Sequence, residues 1–439
     1  MSTKKSTYEE IIIESNDGSK TVDIRLGAVS IDYYEDIFSP IITAKIVVGT
    51  TGDAIKGKDD KAQSIYNGLP LRGGERVSLK IAPNSVTNKG LDFATNPKHY
   101  LYVSSVTNII SEGLREFFVL NLVSREAITN ETTRVPIKFP TSLPIDASVE
   151  KILKEYLKTD KPTDVDKTSN KYGFIGNLKK PFTLLVWLAS KAVPTIQNAT
   201  AGFLFYQTQE GFKFKSIDNL IIQSPKATYF YNEVNRSDIE RNNDFNILSY
   251  TTERNQNLLE KLRLGAYASF RAAFNPADGK FTLPQEGSFT YGNYAGKTKN
   301  LGQVVKLPPI TNSSNETLGD IPTRIITQVI DIGTMEKDVS LDVNANPWEY
   351  QSQSIMRYNL LFTQVLNMTV PLNTNLKAGD IIDCKFPKIT SSDAKEYDDE
   401  QSGLYMIKEI CHHFDSEQSL SSMKLVRDTY GAYGTNNTQ

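Results

Sequence analysis

The first and last thirds of this 439-residue chain repeat one another, and that duplication restricts the fold more than any other feature. The segment FSPIITAKIVV, from Phe38, sets against FTQVLNMTVPL, from Phe362, with Phe38 on Phe362, Ile42 on Leu366 and Ile46 on Val370. Next, LRGGERVSLKI from Leu71 sets against LKAGDIIDCKF from Leu376, which places Gly74 and Glu75 on Gly379 and Asp380. YLYVSSV parallels LYMIKEI, and LNLVSRE (Leu120 to Glu126) parallels MKLVRD (Met423 to Asp428) with one residue fewer. Strands resemble one another, so a single match means little. Four in the same order predict a duplicated β-domain. The shared glycine followed by an acid suits a tight turn feeding a strand. The copies differ at one place, where the first carries GTTGDAIKGKDDKAQSIYNG and the second only NTN. That insert predicts an exposed arm at about 50–68, with Asp53, Lys56, Lys58, Asp59 and Asp60 as candidates for contact with another protein.

Around the repeat the texture is mostly that of strands. YEEIIIES leads through NDGS into KTVDIRL, where Val22, Ile24 and Leu26 alternate with polar residues, a hairpin signal. In REFFVLNLVS, Phe118, Leu120 and Leu122 share one face. A different block follows at 136–235. Asp146 can cap a helix whose Val149, Ile152, Leu153, Tyr156 and Leu157 form an apolar stripe. KTDKPTDVDKTSNK reads as a loop, Pro181 as the first residue of a second helix, and GFLFYQTQEGFKFKSID as a hairpin turning at Gly211. Asn346 and Pro347 could open a short helix. The expected architecture is therefore mainly β with α+β insertions. Residues 1–135 form one barrel, 136–235 an inserted domain, and 236–439 a second barrel with its own insertion at about 275–345.

Composition excludes several function classes. Lys and Arg total 49 against 51 Asp and Glu, so no global charge drives the chain onto nucleic acid or an anionic membrane. LLVWLA is too short to span a bilayer, and MSTKKSTYEE lacks the apolar core of a signal peptide. Cys384 and Cys411 make no disulfide framework, which fits folding in a reducing cytosol. The stretch EICHHFDSEQ places Cys411, His412 and His413 side by side in a chain with three histidines. On a strand Cys411 and His413 share a face and His412 points away, so the stretch supplies two ligands where zinc needs three or four. A Cys–His dyad lacks its orienting third group. GDAIKGKD (Gly52 to Asp59) misses the phosphate-binding loop at its last residue, because Asp59 has no hydroxyl for a magnesium ion and Asp53 would repel phosphate. The run EYDDE reads as a solvated loop. No catalytic, cofactor-binding or metal residues are expected, and the chain reads as a non-enzyme.

Laid out as a repeat, the chain resembles the central baseplate hub proteins of contractile-tailed bacteriophages. The residues that carry this are YYEDIFSPIITAKIVV, LRGGERV, AGFLFYQTQEGFKFKSID and LYMIKEICHHFDSEQSLSSMKLVRDTYG, with little to match between about 275 and 345. The resemblance implies two tandem barrels like tail-tube subunits. Three chains then make a ring of six similar units that fits a six-fold tube to a three-fold spike. It implies a homotrimer bound to a spike protein, to the tail tube or its initiator, and to surrounding wedge proteins, with DNA only in passage and no membrane insertion. The expected location is the virion tail baseplate, assembled in the host bacterial cytoplasm, with the spike as a separate polypeptide because this chain stops at GTNNTQ. Two alternatives remain open from sequence: the hub of a phage-like injection machine, and a β-rich carbohydrate-binding protein or hydrolase.

Overall fold

The computed structural model describes residues 3–51, 55–56, 61–196, 199–231, 243–254, 257–276, 279–281, 283–295, 300–304, 306–311, 315–331, 344, 350–388 and 397–431. Asp53, Lys58, Asp59 and Asp60 lie outside them, as do Asn346 and Pro347. The fold is mainly β, and one largely antiparallel sheet runs through both repeats.

The first repeat supplies β1 (Tyr8–Glu14), β2 (Thr21–Asp23), β3 (Ala28–Asp36), β4 (Thr43–Thr51), β5 (Arg76–Ile81), β6 (Leu101–Glu112) and β7 (Arg115–Ser124). The middle block supplies α1 (Ile145–Lys151), β8 (Thr163–Val165), α2 (Pro181–Ala189), β9 (Phe203–Thr208) and β10 (Gly211–Ser216). The second repeat holds β11 (Thr228–Phe230), β12 (Ser249–Arg254), β13 (Ala268–Asn275), β14 (Arg324–Val329), α3 (Gln351–Leu360), β15 (Gln364–Pro371), β16 (Ile381–Lys385), β17 (Gly403–Asp415) and β18 (Ser419–Arg427).

The strand register shows how deep the duplication goes. Leu120 faces Ile46 on one side and Val106 on the other, as Met423 faces Met368 and Ile410. β6 skips Ser104 in its pairing with β7, and β17 skips Lys408 in its pairing with β18, so both copies keep the same bulge. The glycine–acid turn is equally faithful. Gly74 and Gly379 have φ of 93° and 91°, a left-handed conformation that glycine adopts without a Cβ penalty. Their amides donate to Val103 and Ile407 at 2.7 and 2.8 Å, and the following acids accept from the amides of Arg72 and Lys377.

This register corrects one part of the sequence alignment. Because Leu120 corresponds to Met423, Ile46 corresponds to Met368 and not to Val370, so Phe38 does not correspond to Phe362. The two phenylalanines instead stack on each other, with ring centroids 5.6 Å apart. The slip has a physical cause. Strand side chains repeat every two residues, so a two-residue shift keeps every apolar residue on its face and leaves the pattern unchanged.

The two repeats and the middle block are packed around different sets of side chains. Ile31, Ile46, Leu120 and Leu122 belong to one core, Met368, Ile407, Met423 and Leu425 to a second, and Val149, Ile152, Leu153 and Leu185 to a third. β11 pairs in parallel with β16, so residues 228–230 join the second repeat's sheet and not the block ending at 235. Three local readings also change. Asp146 sits inside α1 while Pro144 takes the capping position, and its carboxylate accepts from the Thr168 amide and hydroxyl and from Lys167. The supposed loop around Asp164 contains β8, which pairs in parallel with β10 and sets Asp164 and Asp166 against Lys215. Leu26 stands fully exposed rather than on the buried face with Ile24. Two buried ion pairs that share one arginine knit the blocks together: Arg357 on α3 reaches Asp218, just after β10, and Asp428, just after β18.

Candidate interface: one joint and two open edges

The sheet order across both repeats is β12-β15-β18-β17-β3-β4-β7-β6. By the register equivalences, β3, β4, β7 and β6 of the first repeat correspond to β12, β15, β18 and β17 of the second. The order is thus one four-strand unit written twice, head to tail.

The joint between the units is made by β17 and β3. β17 is 13 residues long and divides its outer edge, with Gly403–Met406 on β16 and Glu409–Asp415 on β3. Its side chains alternate as the sequence predicts. His412 is buried, stacks on Tyr33 and bonds Ser421 at 2.9 Å, and burial pushes its pKa down to about 4. Cys411 and His413 lie on the opposite face. His413 sits between Asp32, at 2.6 Å, and Asp415, at 3.1 Å. Burial works against the charged ring, but the two carboxylates outweigh it and raise its pKa. Cys411 is pushed up to about 12, mainly by burial and then by Asp32, so its thiol stays protonated. Beside them Glu35 is fully buried and accepts from Tyr33, from the Gln209 amide of the middle block and from the Ala378 amide of the second repeat. Burial outweighs those donors and pushes its pKa up to about 7. Among the described residues no group of three His, Cys, Asp or Glu side chains gathers in a way that could hold a metal ion. In EYDDE, Asp398 accepts the amides of Glu400 and Gln401 and so closes a turn.

The face away from the cores is continuous across the joint. One cross-strand row reads Leu420, His413, Asp32, Lys45, Asn121 and Ser105. Asp36, Glu253, Glu409 and Asp415 add negative charge to this face, against Lys45 and Lys424, and the neighbouring positions are mostly hydroxyls and amides.

Each end of the doubled unit is open. β6 pairs with β5 only at Leu101 and Tyr102, and beyond that its outer edge has no strand partner among the described residues. β12 has β15 on one side and, among the described residues, no strand on the other. The free half of β6 is exposed although it carries Ile109 and Ile110, and the hairpin tip adds Leu114 and Phe117. An exposed apolar strand edge is a template for pairing. Lys56, the one described residue of the proposed contact set, lies on a two-residue strand paired with Ala62–Gln63. A shallow groove runs from Gln63 and Asn67 to Ser111 and Leu114, so the base of the arm adjoins the open end of β6. The sequence signal for this edge was present in NIISEGLREFF, where apolar residues break the alternation.

A tail protein from Neisseria meningitidis superposes with a TM-score of 0.54 at 10% identity, over 97% of this chain and 99% of that one. The 43 kDa tail protein of prophage MuSo2 from Shewanella oneidensis gives 0.52 at 10% identity, over 95% and 98%. The chain has the fold of these tail proteins. That matches in fold the resemblance read from the sequence, and the mainly β architecture expected there. No protein-family model matches the chain, and no curated protein matches it. No helix among the described residues is long and apolar enough to cross a membrane.

Proposed function

We propose that the chain is a structural, non-enzymatic hub of a contractile phage tail baseplate. Three copies form a ring of six similar barrels that joins the tail tube to a central spike and leaves a channel for DNA. The supporting observation is the doubled four-strand unit with an open strand at each end. A subunit of this kind satisfies its edges by closing on copies of itself, and a closed ring does so without open-ended growth. Two units per chain make three chains the number that fits a six-fold tube. The barrels correspond to about 1–135 and 228–439, with 136–227 as the inserted block and the arm at 50–68 reaching a neighbour or another baseplate protein. The polar, acid-rich face of the sheet lines the channel.

The test is mass in solution with and without the spike partner, followed by imaging of the complex. A three-chain ring with six similar lobes is the expected result. A chain that remains monomeric with its partner overturns the proposal.

A further inference from the structure

We propose that the cleft between the middle block and the glycine–acid turn of the second repeat binds a neutral sugar, whose hydroxyls can each donate and accept. The site lies within one chain, so it goes beyond the ring reading and does not depend on it.

The cleft has a volume of about 240 Å³. That is below the roughly 300–1,000 Å³ of a drug-sized pocket and suits a single sugar ring. β9 and β10, with Asp164 of β8, make one wall, and Lys377 to Asp380 make the other. The walls are fixed to each other before any ligand arrives. The Gln223 side-chain amide donates to the Gly379 carbonyl across the seam at 3.1 Å, and Glu35 takes the amides of Gln209 and Ala378. A site set in advance spends little of its binding energy on ordering.

The charges of the lining balance. Lys213, Lys215 and Lys377 stand against Asp164, Glu210 and Asp380. Lys213 and Lys215 are held by Asp164 at 3.3 and 2.7 Å, and Lys377 is held by Glu210. An entering anion meets the carboxylates and an entering cation meets the ammonium groups, so neither gains from the cleft as a whole. A neutral ligand leaves every pair in place.

What the cleft holds unused is hydrogen-bonding capacity of both kinds. Tyr206 is 2% exposed, with its ring packed beside Ile217 and Leu220. Its hydroxyl reaches the cleft beside Gly379 and has no hydrogen-bond partner among the described residues. Buried tyrosine hydroxyls usually find a partner, and one that does not calls for a physical reason. Asp380 accepts the Lys377 amide at 3.0 Å with one oxygen, and among the described residues its other oxygen has no partner. An ammonium carries three protons, and Lys377 gives only one of them to Glu210. A free donor, a free acceptor and spare ammonium protons thus line one small space. A sugar hydroxyl answers such a set, because it can donate to Asp380 while accepting from Tyr206 or Lys377. Leu220 and Ala378 add apolar lining for the C–H face of the ring.

The test is titration of the full-length protein with glucose, galactose, mannose and N-acetylglucosamine, with glycine and inorganic phosphate as charged probes. Saturation-transfer NMR and calorimetry read the binding. We expect millimolar, saturable binding of at least one sugar and none of glycine or phosphate. Tyr206→Phe keeps the ring and removes only the unpartnered hydroxyl. Its melting temperature should therefore match that of the unaltered protein, while sugar affinity falls roughly fivefold, the loss of one hydrogen bond. Lys377→Gln should weaken the same sugar by a similar factor. A trisaccharide ending in that sugar separates two sources: equal or tighter binding assigns the cleft to a glycan chain end, and loss of binding assigns it to a free sugar. Absence of saturable sugar binding overturns the proposal, as does binding of glycine or phosphate in its place. Sugar binding that Tyr206→Phe leaves at full strength overturns it too, and so does a lowered melting temperature in that variant, which would mean that the hydroxyl has a partner inside the protein.

Discussion

His412 and His413 are adjacent in sequence and opposite in behaviour, because strand geometry turns one into the core and the other onto the charged face. His412 is neutral, held by Ser421 and the Tyr33 ring. Asp32 and Asp415 favour the protonated form of His413, with Lys45 paired across from Asp32 and Leu420 on its other flank. A histidine whose folded pKa is raised contributes stability that is complete below its unfolded value of about 6.5. That contribution is lost as the pH rises through the folded value. Asp32→Asn should therefore cost more at pH 6 than at pH 9, by roughly 0.5–1 kcal/mol, the size of a partly exposed ion pair. Urea melts at the two pH values measure the difference, and an equal cost at both would refute it. The sequence made the facing of Cys411, His412 and His413 legible, since period two is all that it needs. It gave no sign of Asp32 as the partner, because that contact joins residues 381 positions apart.

At the scale of elements, the glycine–acid turns are the best test of how alike the two repeats are. Both glycines are left-handed, so an alanine at either position costs about 1–2 kcal/mol in backbone strain alone. Their surroundings differ. The atoms nearest a Cβ at Gly74 would be those of the Asn16 side chain, from 3.0 Å, whereas at Gly379 the Cβ would run into the Tyr206 hydroxyl on β9. Tyr206 belongs to the middle block and is almost wholly buried, so it has little room to give. Gly379→Ala should destabilise the protein by clearly more than Gly74→Ala, and the shift in denaturation midpoint ranks them. Equal midpoints would mean that the middle block is not pressed onto this turn. These turns were readable from the sequence because a glycine and an acid are chemically distinctive. The alignment of β4 with β15 was not, because a run of Ile, Val and Leu looks the same two residues along. A one-residue slip would have exposed Phe118, Leu120 and Leu122, at about 1.5–3 kcal/mol each, and the pattern does exclude that. β8 was missed for a related reason: it is three residues long and its central Asp164 faces Lys213 and Lys215, so hydrophobic periodicity is silent there.

For the whole molecule, the charge on the sheet face decides whether a channel built from it can serve DNA. Phosphate contacts dominate affinity for DNA, and each one formed with a lysine or arginine releases counterions and so adds both grip and salt dependence. A channel for passage needs the opposite property, since a bound duplex cannot slide freely. On this face Asp32, Asp36, Glu253, Glu409 and Asp415 outnumber Lys45 and Lys424, and the bulged Lys408 is engaged by Asp36 at 2.5 Å. The near-neutral total charge conceals this local excess. The assembled protein should accordingly show no saturable binding to duplex DNA at physiological salt. Reversing the sign with Glu253→Lys, Glu409→Lys and Asp415→Lys should create binding whose logarithm falls linearly with the logarithm of salt concentration, with a slope of roughly −0.9 for each phosphate engaged. Fluorescence anisotropy on a labelled duplex across a salt series gives the slope, and native mass of the same samples shows that the ring is intact. Tight, salt-sensitive binding by the unaltered ring would mean that the acidic face does not line the path DNA takes. No gain in the reversed variant would mean that duplex does not reach that face.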